Sequence, residues 1–322
     1  MTGYKGDQVV LGFKQETTFN EQPVEGDQTH FLGIVPNLDI DAKWDWKDYW
    51  TVNGDRDRFT ESQGKATVGI TIPFELQSGM LFHLALENIS ESGTNPTTHI
   101  MNGGIQPLRS IVIEQQYMGA KPFLRYLTGC KVNTMSIQAV EGGEVKGSMA
   151  LLAARAIDWT NAASTVVPTT TRPYMYHHSE LKVDDHTYPV VAWTVSINHN
   201  LKVRHTCRIT LGQYAYAIIE GKHEYEVKAT VLLEDVETYN KELWRLLRLG
   251  SICSVVLEGV RDGEASYTAS SDAFQITGTN CVLKSAPHDV PESGEDVTVE
   301  ISLSPRSLTV NFKDDIPTYI ST

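Results

Sequence analysis

Three aspartates near the start of the chain carry side chains of the type that binds calcium. Asp39, Asp41 and Asp45 occur in the segment LDIDAKWDW. Carboxylate oxygens suit Ca²⁺, but a calcium loop also needs a turn glycine and a closing glutamate, and that full pattern is missing. The alternation with apolar residues instead places the aspartates on the polar face of a predicted strand. We therefore expect no calcium site here.

A histidine pair offers nitrogen ligands of the kind that hold zinc. His177 and His178 are adjacent, and Glu180 follows them. Neighbouring residues on a strand point to opposite faces, so the two histidines would not reach one metal. A half-buried strand with polar neighbours is the better interpretation, and His199 and His205 are isolated in the same way. We expect no metal and no cofactor.

Motifs that build active sites are missing from the sequence. It contains no GxSxG, HExxH, CxxC, P-loop or GxGxxG pattern. The four cysteines are widely scattered, which favours reduced thiols over a disulfide framework: Cys130, Cys207, Cys253 and Cys281. We predict that the protein is not an enzyme.

An aromatic segment is the strongest candidate for a contact surface. Three tryptophans of the same parity lead to a charged tip: Trp44, Trp46, Trp50, Asp55, Arg56, Asp57 and Arg58. Aromatic and arginine side chains give large contact areas, so a wide hairpin for contacts between subunits is the preferred interpretation. A plain core strand, or an aromatic platform for a ligand, would use the same residues. The matching stretch of the second half, residues 205–216, is also long.

Composition limits the classes of function. The chain has 322 residues, 41% of them hydrophobic, and a formal net charge of −13. This length suffices for two domains with separate cores. No run approaches 18 apolar residues and the N-terminus lacks a signal-peptide pattern, so we expect no membrane insertion. The negative charge opposes attraction to DNA, although it suits a surface past which DNA slides.

Period-two alternation dominates the chain and predicts antiparallel sheets with one buried and one wet face. The wet faces include Glu144, Ser148, Glu224, Glu226, Thr298 and Glu300. One amphipathic helix is predicted after the central strand of each half, around Leu76–Leu84 and Val236–Leu247, with Gly250 ending the second. We predict a mainly β fold, a β-sandwich or barrel with one flanking helix per domain.

The sequence also repeats itself loosely. LDIDAKW at residue 38 resembles VSINHNL at residue 195, and Gly64-Lys65 corresponds to Gly221-Lys222, both 157 positions apart. Later matches fall at shorter spacings, as expected if only the loops differ in length. We predict two tandem similar domains, 1–157 and 173–322, joined by a linker at 158–172 that is rich in Thr, Ser, Ala and Pro.

Several short motifs resemble those of the major tail tube proteins of long-tailed, siphovirus-like bacteriophages. They are VVLGFKQETTF at 9–19, LTGCKVNTMSI at 127–137, EGGEVKG at 141–147, YHHSELKV at 176–183 and IEGK at 219–222. The matches touch both halves, so the chain resembles a tail tube protein with a tandem-duplicated tube domain.

The resemblance implies a structural virion protein of the phage tail, made in the host cytoplasm, that polymerises into stacked rings. Tube rings of the family are six-fold, so three chains with two domains each would form a pseudo-hexameric homotrimer. The implied partners are further copies of the chain and the tape measure, tail terminator and distal tail proteins. DNA would pass through the lumen to the host without specific binding.

On this interpretation the six wet-face residues named above face the lumen. The hairpin at 44–59 and the arm after Ser307 would mediate stacking, although the arm would equally well close its own sheet. Two alternatives stay open. One is another tail or baseplate ring component, which would form a single ring, and the other is a two-domain β-sandwich that binds carbohydrate.

Overall fold

The fold is known here from a computed structural model, which describes residues 9–24, 26–36, 39–49, 60–104, 106–117, 123–159, 163–167, 170–206, 213–232, 237–262, 264, 266–286, 288–289 and 297–319. Antiparallel strands dominate these ranges, and two α-helices accompany them, so the predicted mainly β class is confirmed. The described strands do not close into a barrel.

The secondary structure falls into two series with a similar order. The first is β1 (Val9–Gln15), β2 (His30–Phe31), β3 (Asp39–Tyr49), β4 (Thr60–Glu75), α1 (Met80–Ala85), β5 (Asn88–Ser92), β6 (Thr97–Asn102), β7 (Ile111–Tyr117), β8 (Phe123–Val140), β9 (Lys146–Ala153) and β10 (Arg155–Trp159). The second is β11 (Ser179–Val183), β12 (His186–Tyr188), β13 (Val190–Asn198), β14 (Lys202–Arg204), β15 (Ala217–Ile219), β16 (Glu224–Leu232), α2 (Glu237–Leu249), β17 (Ile252–Val260), β18 (Ala273–Ser285), β19 (His288–Asp289), β20 (Thr298–Ser304) and β21 (Ser307–Asp314).

One antiparallel sheet, which we call the shared sheet, runs through both halves of the chain. Its order is β3–β4–β9–β8–β13–β16–β20, and the end of β18 and β19 follow beyond β20. The halves meet where β8 pairs with β13, from Thr134 opposite Asn198 to Val140 opposite Ala192. Backbone pairing therefore joins the two halves edge to edge.

A second layer of strands covers one face of the shared sheet. In the first half its order is β2–β1–β7–β8–β10, and in the second it is β12–β11–β17–β18–β21. The long strands β8 and β18 take part in both layers. The β5–β6 hairpin of the first half pairs with β21, so it extends the layer of the second half.

The register of the ladders refines the sequence repeat. Ile70 in β4 and Val227 in β16 are 157 positions apart. Their partners are Ile40 in β3 and Val195 in β13. These partners are only 155 positions apart, so the sequence alignment of LDIDAKW with VSINHNL was displaced by two residues. Period two hides such a shift, because both alignments keep the same side chains on the buried face.

The two helices lie where the sequence predicts them. Helix α1 is short and buries Leu81, Phe82 and Leu84, while Leu76 is buried just before it. Helix α2 buries Leu243 and Leu246, and Gly250 follows with a φ of +59°. This left-handed conformation is favourable for glycine and confirms Gly250 as the residue that ends the helix. Val236 lies outside the described residues.

One large hydrophobic cluster spans both halves, and a small second cluster of Val112, Leu124 and Tyr126 lies in the first half. The Phe82 ring of α1, in the first half, lies 5.7 Å from the Phe312 ring of β21, in the second half. Tyr174 meets Phe274 edge-on at 5.0 Å and extends the same cluster within the second half. Burying a side chain of this size stabilises the fold by about 1.5–3 kcal/mol. Aromatic packing therefore strengthens the backbone joint between the halves.

The segment predicted as a linker is anchored to the first half. Strand β10 continues to Trp159, and Ser164 is buried beside β7. The Ser164 hydroxyl donates to Glu114 Oε2 at 2.6 Å, and its backbone N–H donates to Oε1 at 2.9 Å. The Gln116 side chain donates to the Ser164 carbonyl at 2.8 Å. These bonds fix the path of the chain as it leaves β10.

The arm after Ser307 closes its own sheet. Strand β21 pairs with β18 and β6, and Tyr319 is buried beyond it. The Tyr319 hydroxyl donates to Asp314 at 2.7 Å and accepts a bond from the Gly79 N–H at 3.0 Å. The described part of the arm therefore closes its own sheet, which is one of the two roles predicted for it, and the stacking role stays a prediction.

His99 in β6 holds this arm in place. Its ring stacks on Tyr319 at 3.7 Å, with Glu91 3.0 Å from Nδ1 and Asp314 3.2 Å from Nε2. Burial by itself would lower the pKa of His99. The hydrogen bond and charge of Asp314, and then those of Glu91, outweigh burial and raise that pKa. The protonated ring is thus the stabilising form.

We expect a pH-dependent contribution of His99 to stability. Because the folded-state pKa is raised, the contribution is fully present below the unfolded-state value and is lost as the pH rises through the folded-state value. The free energy of unfolding of wild type relative to His99→Gln should therefore fall as the pH rises from about 6 to 9, by about 1.4 kcal/mol for each pKa unit of difference between the two states. Urea denaturation across that range measures it. His177→Gln, at an exposed histidine, should leave the profile unchanged, and a difference independent of pH would contradict the assignment.

Candidate lumen and assembly surfaces

The face of the shared sheet opposite the core is polar. A row of small and acidic side chains crosses it from strand to strand: Ser148 opposite Ser136, Ser136 opposite Ser196, and Ser196 opposite Glu226. Directly opposed residues in a ladder point to the same side. The row therefore passes without interruption from the first half to the second.

Five of the six residues predicted to face a lumen share this polar face. Thr230 lies opposite Glu300 and Leu232 opposite Thr298. The alternation along β16 places Glu224 on the same face as Glu226, whose cross-strand row contains Ser148. Glu144 lies just before β9, where it forms an ion pair with Lys146 at 3.0 Å. A depression of about 840 Å³ on this face is lined in part by Ser136, Ser148, Ser196, Glu224 and Glu226.

Three lysines on the polar face are paired with carboxylates two positions earlier in the chain, whereas Lys284 and Arg306, which also line the depression, have no carboxylate at that position. Lys43 pairs with Asp41, and Lys228 pairs with Glu226 at 3.1 Å, as Lys146 does with Glu144. Residues at i and i+2 of a strand share a face, so β geometry places the partners together. The neighbouring carboxylates offset the charges of these three lysines, which therefore attract phosphate only weakly.

The β3–β4 hairpin projects beyond the shared sheet. Strand β4 pairs with β9 only from Val68 onward, whereas its earlier part, from Thr60, pairs with β3 alone. A register shift between Trp44 and Trp46 breaks the expected common face: Trp44 is half-buried, and Trp46 is 55% exposed. The rest of the predicted contact hairpin lies outside the described residues, namely Trp50, Asp55, Arg56, Asp57 and Arg58.

A second hairpin, β14–β15, occupies the equivalent place in the second half. Strands β3 and β13 run in the same direction, because three strands separate them in an antiparallel sheet. Both hairpins therefore leave the sheet at the same end. The base of the second hairpin contacts the first half. The Ala66 N–H of β4 donates to the Gln213 carbonyl oxygen at 3.0 Å, and Arg155 of β10 lies over the Tyr214 ring at 5.4 Å.

The histidines are arranged differently from the sequence expectation. His177 and His178 form a 3-10 turn with Tyr176 rather than a strand, and their rings are 4.3 Å apart. His199 is not isolated in space, because its ring lies 4.8 Å from that of His223. Nothing in the sequence spacing signals this contact. Asp39, Asp41 and Asp45 lie along β3, and all three are exposed, as the alternation predicts.

Cys130, Cys253 and Cys281 are buried free thiols, and Cys207 lies outside the described residues. Among the described helices, none is both long and apolar enough to cross a membrane.

Comparison with known proteins decides the family. The sequence profile described as phage tail tube protein matches residues 6–312, almost the whole chain. The chain belongs to the phage tail tube protein family. No curated protein matches the sequence significantly. This tail tube protein is thus a structural component of the virion tail that assembles with itself into a tube.

The sequence revealed the polar face but not the joint between the halves. The β8–β13 pairing connects strands more than fifty residues apart, and neither strand carries a motif that names its neighbour.

We expect the paired carboxylates to control DNA binding by the polar face. The triple variant Asp41→Asn, Glu144→Gln, Glu226→Gln leaves three lysines unpaired, so the tube protein should bind duplex DNA more tightly than wild type. The dependence of log K on log salt should then approach a slope of about −2.7. Fluorescence anisotropy at several salt concentrations measures this. A control with amides at Glu141, Glu264 and Asp315 matches the change in net charge, and equal binding by the control would contradict the local pairing.

Proposed function

We propose that three copies of the chain close into a ring and that stacked rings form the tail tube. The observation that carries this proposal is the β8–β13 joint, in which two halves with the same strand pairings meet edge to edge in one sheet. A trimer would repeat the joint between chains, with β18–β19 of one chain beside β3 of the next. Head-to-tail contacts of this kind form rings when the rotation closes.

The joint within the chain supplies a register for the joint between chains. The register shift that precedes Thr134 in β8 recurs before Ser285 in β18. The 155-residue spacing relates Asn198 in β13 to Lys43 in β3. Since Thr134 lies opposite Asn198, we expect Ser285 of one chain to lie opposite Lys43 of the next.

The dimensions suit a channel for DNA. Each chain would contribute eight strands to the ring: β3, β4, β9, β8, β13, β16, β20 and β18. Three chains then give 24 strands, and at about 4.8 Å per strand the backbone would enclose a cylinder roughly 37 Å across. That diameter leaves room for a DNA duplex inside the side chains.

The polar face suits the inner wall of this cylinder, because the opposite face of the shared sheet is buried under the second layer. Glu144, Ser148, Glu224, Glu226, Thr298 and Glu300 would then face the lumen. A solvent-exposed, mainly acidic wall on which Lys43, Lys146 and Lys228 are already paired would let DNA pass without specific binding. The tape measure protein would share this lumen, and the terminator and distal tail proteins would meet the ends of the tube.

The hairpins suit contacts between successive rings. Both leave the shared sheet at the same end, so in a ring they would form a crown directed toward the next ring. Trp46, which is 55% exposed on the longer hairpin, is an aromatic anchor of the kind that interfaces use.

Engineered cysteines test the joint between chains. The double variant Lys43→Cys, Ser285→Cys should cross-link into a closed trimer under oxidation, because directly opposed strand residues lie within disulfide range. In the control pair Lys47→Cys, Ser285→Cys the first cysteine is displaced by about 13 Å and should not cross-link. Non-reducing electrophoresis and native mass spectrometry report the product. A ladder without a trimer limit, or equal cross-linking by the control, would refute the three-chain ring.

A tryptophan comparison tests the stacking role. Trp46→Ser should shorten or abolish filaments while single rings persist, because it removes an exposed aromatic from the crown. Trp244→Ser removes an aromatic that is 50% exposed on α2 and should leave filament length unchanged. Negative-stain electron microscopy measures both. Filaments of normal length in Trp46→Ser and in a variant lacking residues 52–57 would assign stacking to another surface.

A further inference from the structure

A cluster of one glutamate and two histidines lies where the two halves meet. Glu87 follows α1, His199 follows β13, and His223 precedes β16. Asn198 opposite Glu224 is the last pair of the β13–β16 ladder, so His199 and His223 occupy the next opposed positions. One ligand atom of each of the three residues lies within 4.8 Å of the other two.

His199 is oriented as a metal ligand. Its side chain is fully buried, and Nε2 lies 2.8 Å from the Ala85 carbonyl oxygen at the end of α1. With the proton on Nε2, the Nδ1 atom carries a lone pair, yet this buried atom has no hydrogen-bond partner among the described residues. Histidines that bind metals use the second nitrogen in this way, donating it to a carbonyl or carboxylate.

Glu87 presents a carboxylate oxygen to the same place. Its side chain is fully buried, and Oε2 accepts a hydrogen bond from the Gly104 N–H. The other oxygen, Oε1, lies 3.0 Å from His223 Nδ1 but, like His199 Nδ1, makes no hydrogen bond to the described residues. Two buried acceptor atoms thus share a site without a donor aligned to either of them, an arrangement that a cation would satisfy.

We propose that Glu87, His199 and His223 bind one zinc-type divalent cation that ties α1 to the β13–β16 ladder. Two imidazoles and one carboxylate are a ligand set that zinc favours, with a water in the fourth position. Tetrahedral ligands lie about 3.4 Å apart, so a small rotation of the partly exposed His223 completes the geometry. His223 also lines the depression on the polar face, which gives the ion a route from solvent.

The protonation state of His199 agrees with this assignment. Burial, and then the charge of His223, lower the pKa of His199 to about 4. The ring is therefore neutral near pH 7, and its lone pair is available without the release of a proton. The site would occur once in each chain, because it combines residues of both halves that the repeat does not duplicate.

Metal binding by the purified chain tests the proposal. After removal of metals with a chelator, we expect one Zn²⁺ per chain by calorimetric titration and mass spectrometry of the metal content. Co²⁺ in its place should give the visible absorption of a tetrahedral site. Zinc should also raise the melting temperature of wild type, because it binds the folded chain selectively.

Matched substitutions locate the site. His223→Gln changes a partly exposed ligand and should weaken zinc binding at least roughly tenfold, with loss of the zinc-dependent thermal shift. His199→Gln should do the same if the variant folds. His177→Gln is the control, because exposed His177 lies beside partly buried His178 and this pair could hold zinc adventitiously.

Absence of stoichiometric binding by wild type would overturn the proposal. So would binding that survives His223→Gln but is lost in His177→Gln. Because the readouts use the free chain, they stand apart from ring formation: a chain that binds zinc without forming trimers would refute the assembly alone, and the reverse result would refute the metal site alone.

Discussion

Backbone pairing between β8 and β13 is the constraint on which the rest of the structure depends. It places the two halves side by side in one sheet, aligns their polar faces into one surface and directs both hairpins toward the same end. Such a ladder forms hydrogen bonds between backbone N–H and C=O groups that would otherwise have to bond to water. An exposed strand edge tends to recruit another strand, and within this chain the second half meets that need for the first.

The same pairing gives the shared sheet one face that is covered by other strands and two edges that have no partner strand among the described residues. The core face is covered by the second layer and by aromatic packing that spans both halves. The polar face is solvent-exposed, and three of its lysines, Lys43, Lys146 and Lys228, are paired with carboxylates two residues away. The edges at β3 and at β18–β19 have no partner among the described strands, and assembly in our proposal covers them.

The halves are not interchangeable, and the differences concentrate at the joint. The β5–β6 hairpin belongs to the first half but completes the outer layer of the second. Tyr319 of the C-terminal arm packs against this hairpin through His99. The cluster of Glu87, His199 and His223 also draws on both halves. Because its two halves differ, the chain can strengthen the β8–β13 joint with contacts that occur only there. Identical subunits would have to make the same contacts at every joint of a ring.

Alternation along the sequence indicated most of the buried and solvent-exposed residues of the strands. The alternation of polar and apolar residues predicted a polar face for Ser148, Glu226 and Glu300, and Gly250 predicted the end of α2. Both predictions succeed because they depend on local backbone geometry. Motif similarity also indicated the family. Only the tertiary structure decided which strand lies beside which: it moved the β3 alignment by two residues, separated Trp44 from Trp46 at a register shift, and brought His199 to His223 and Glu87. Alternation repeats every two residues and carries no information about a partner strand far away in the chain, so such contacts are decided by packing and ladder register.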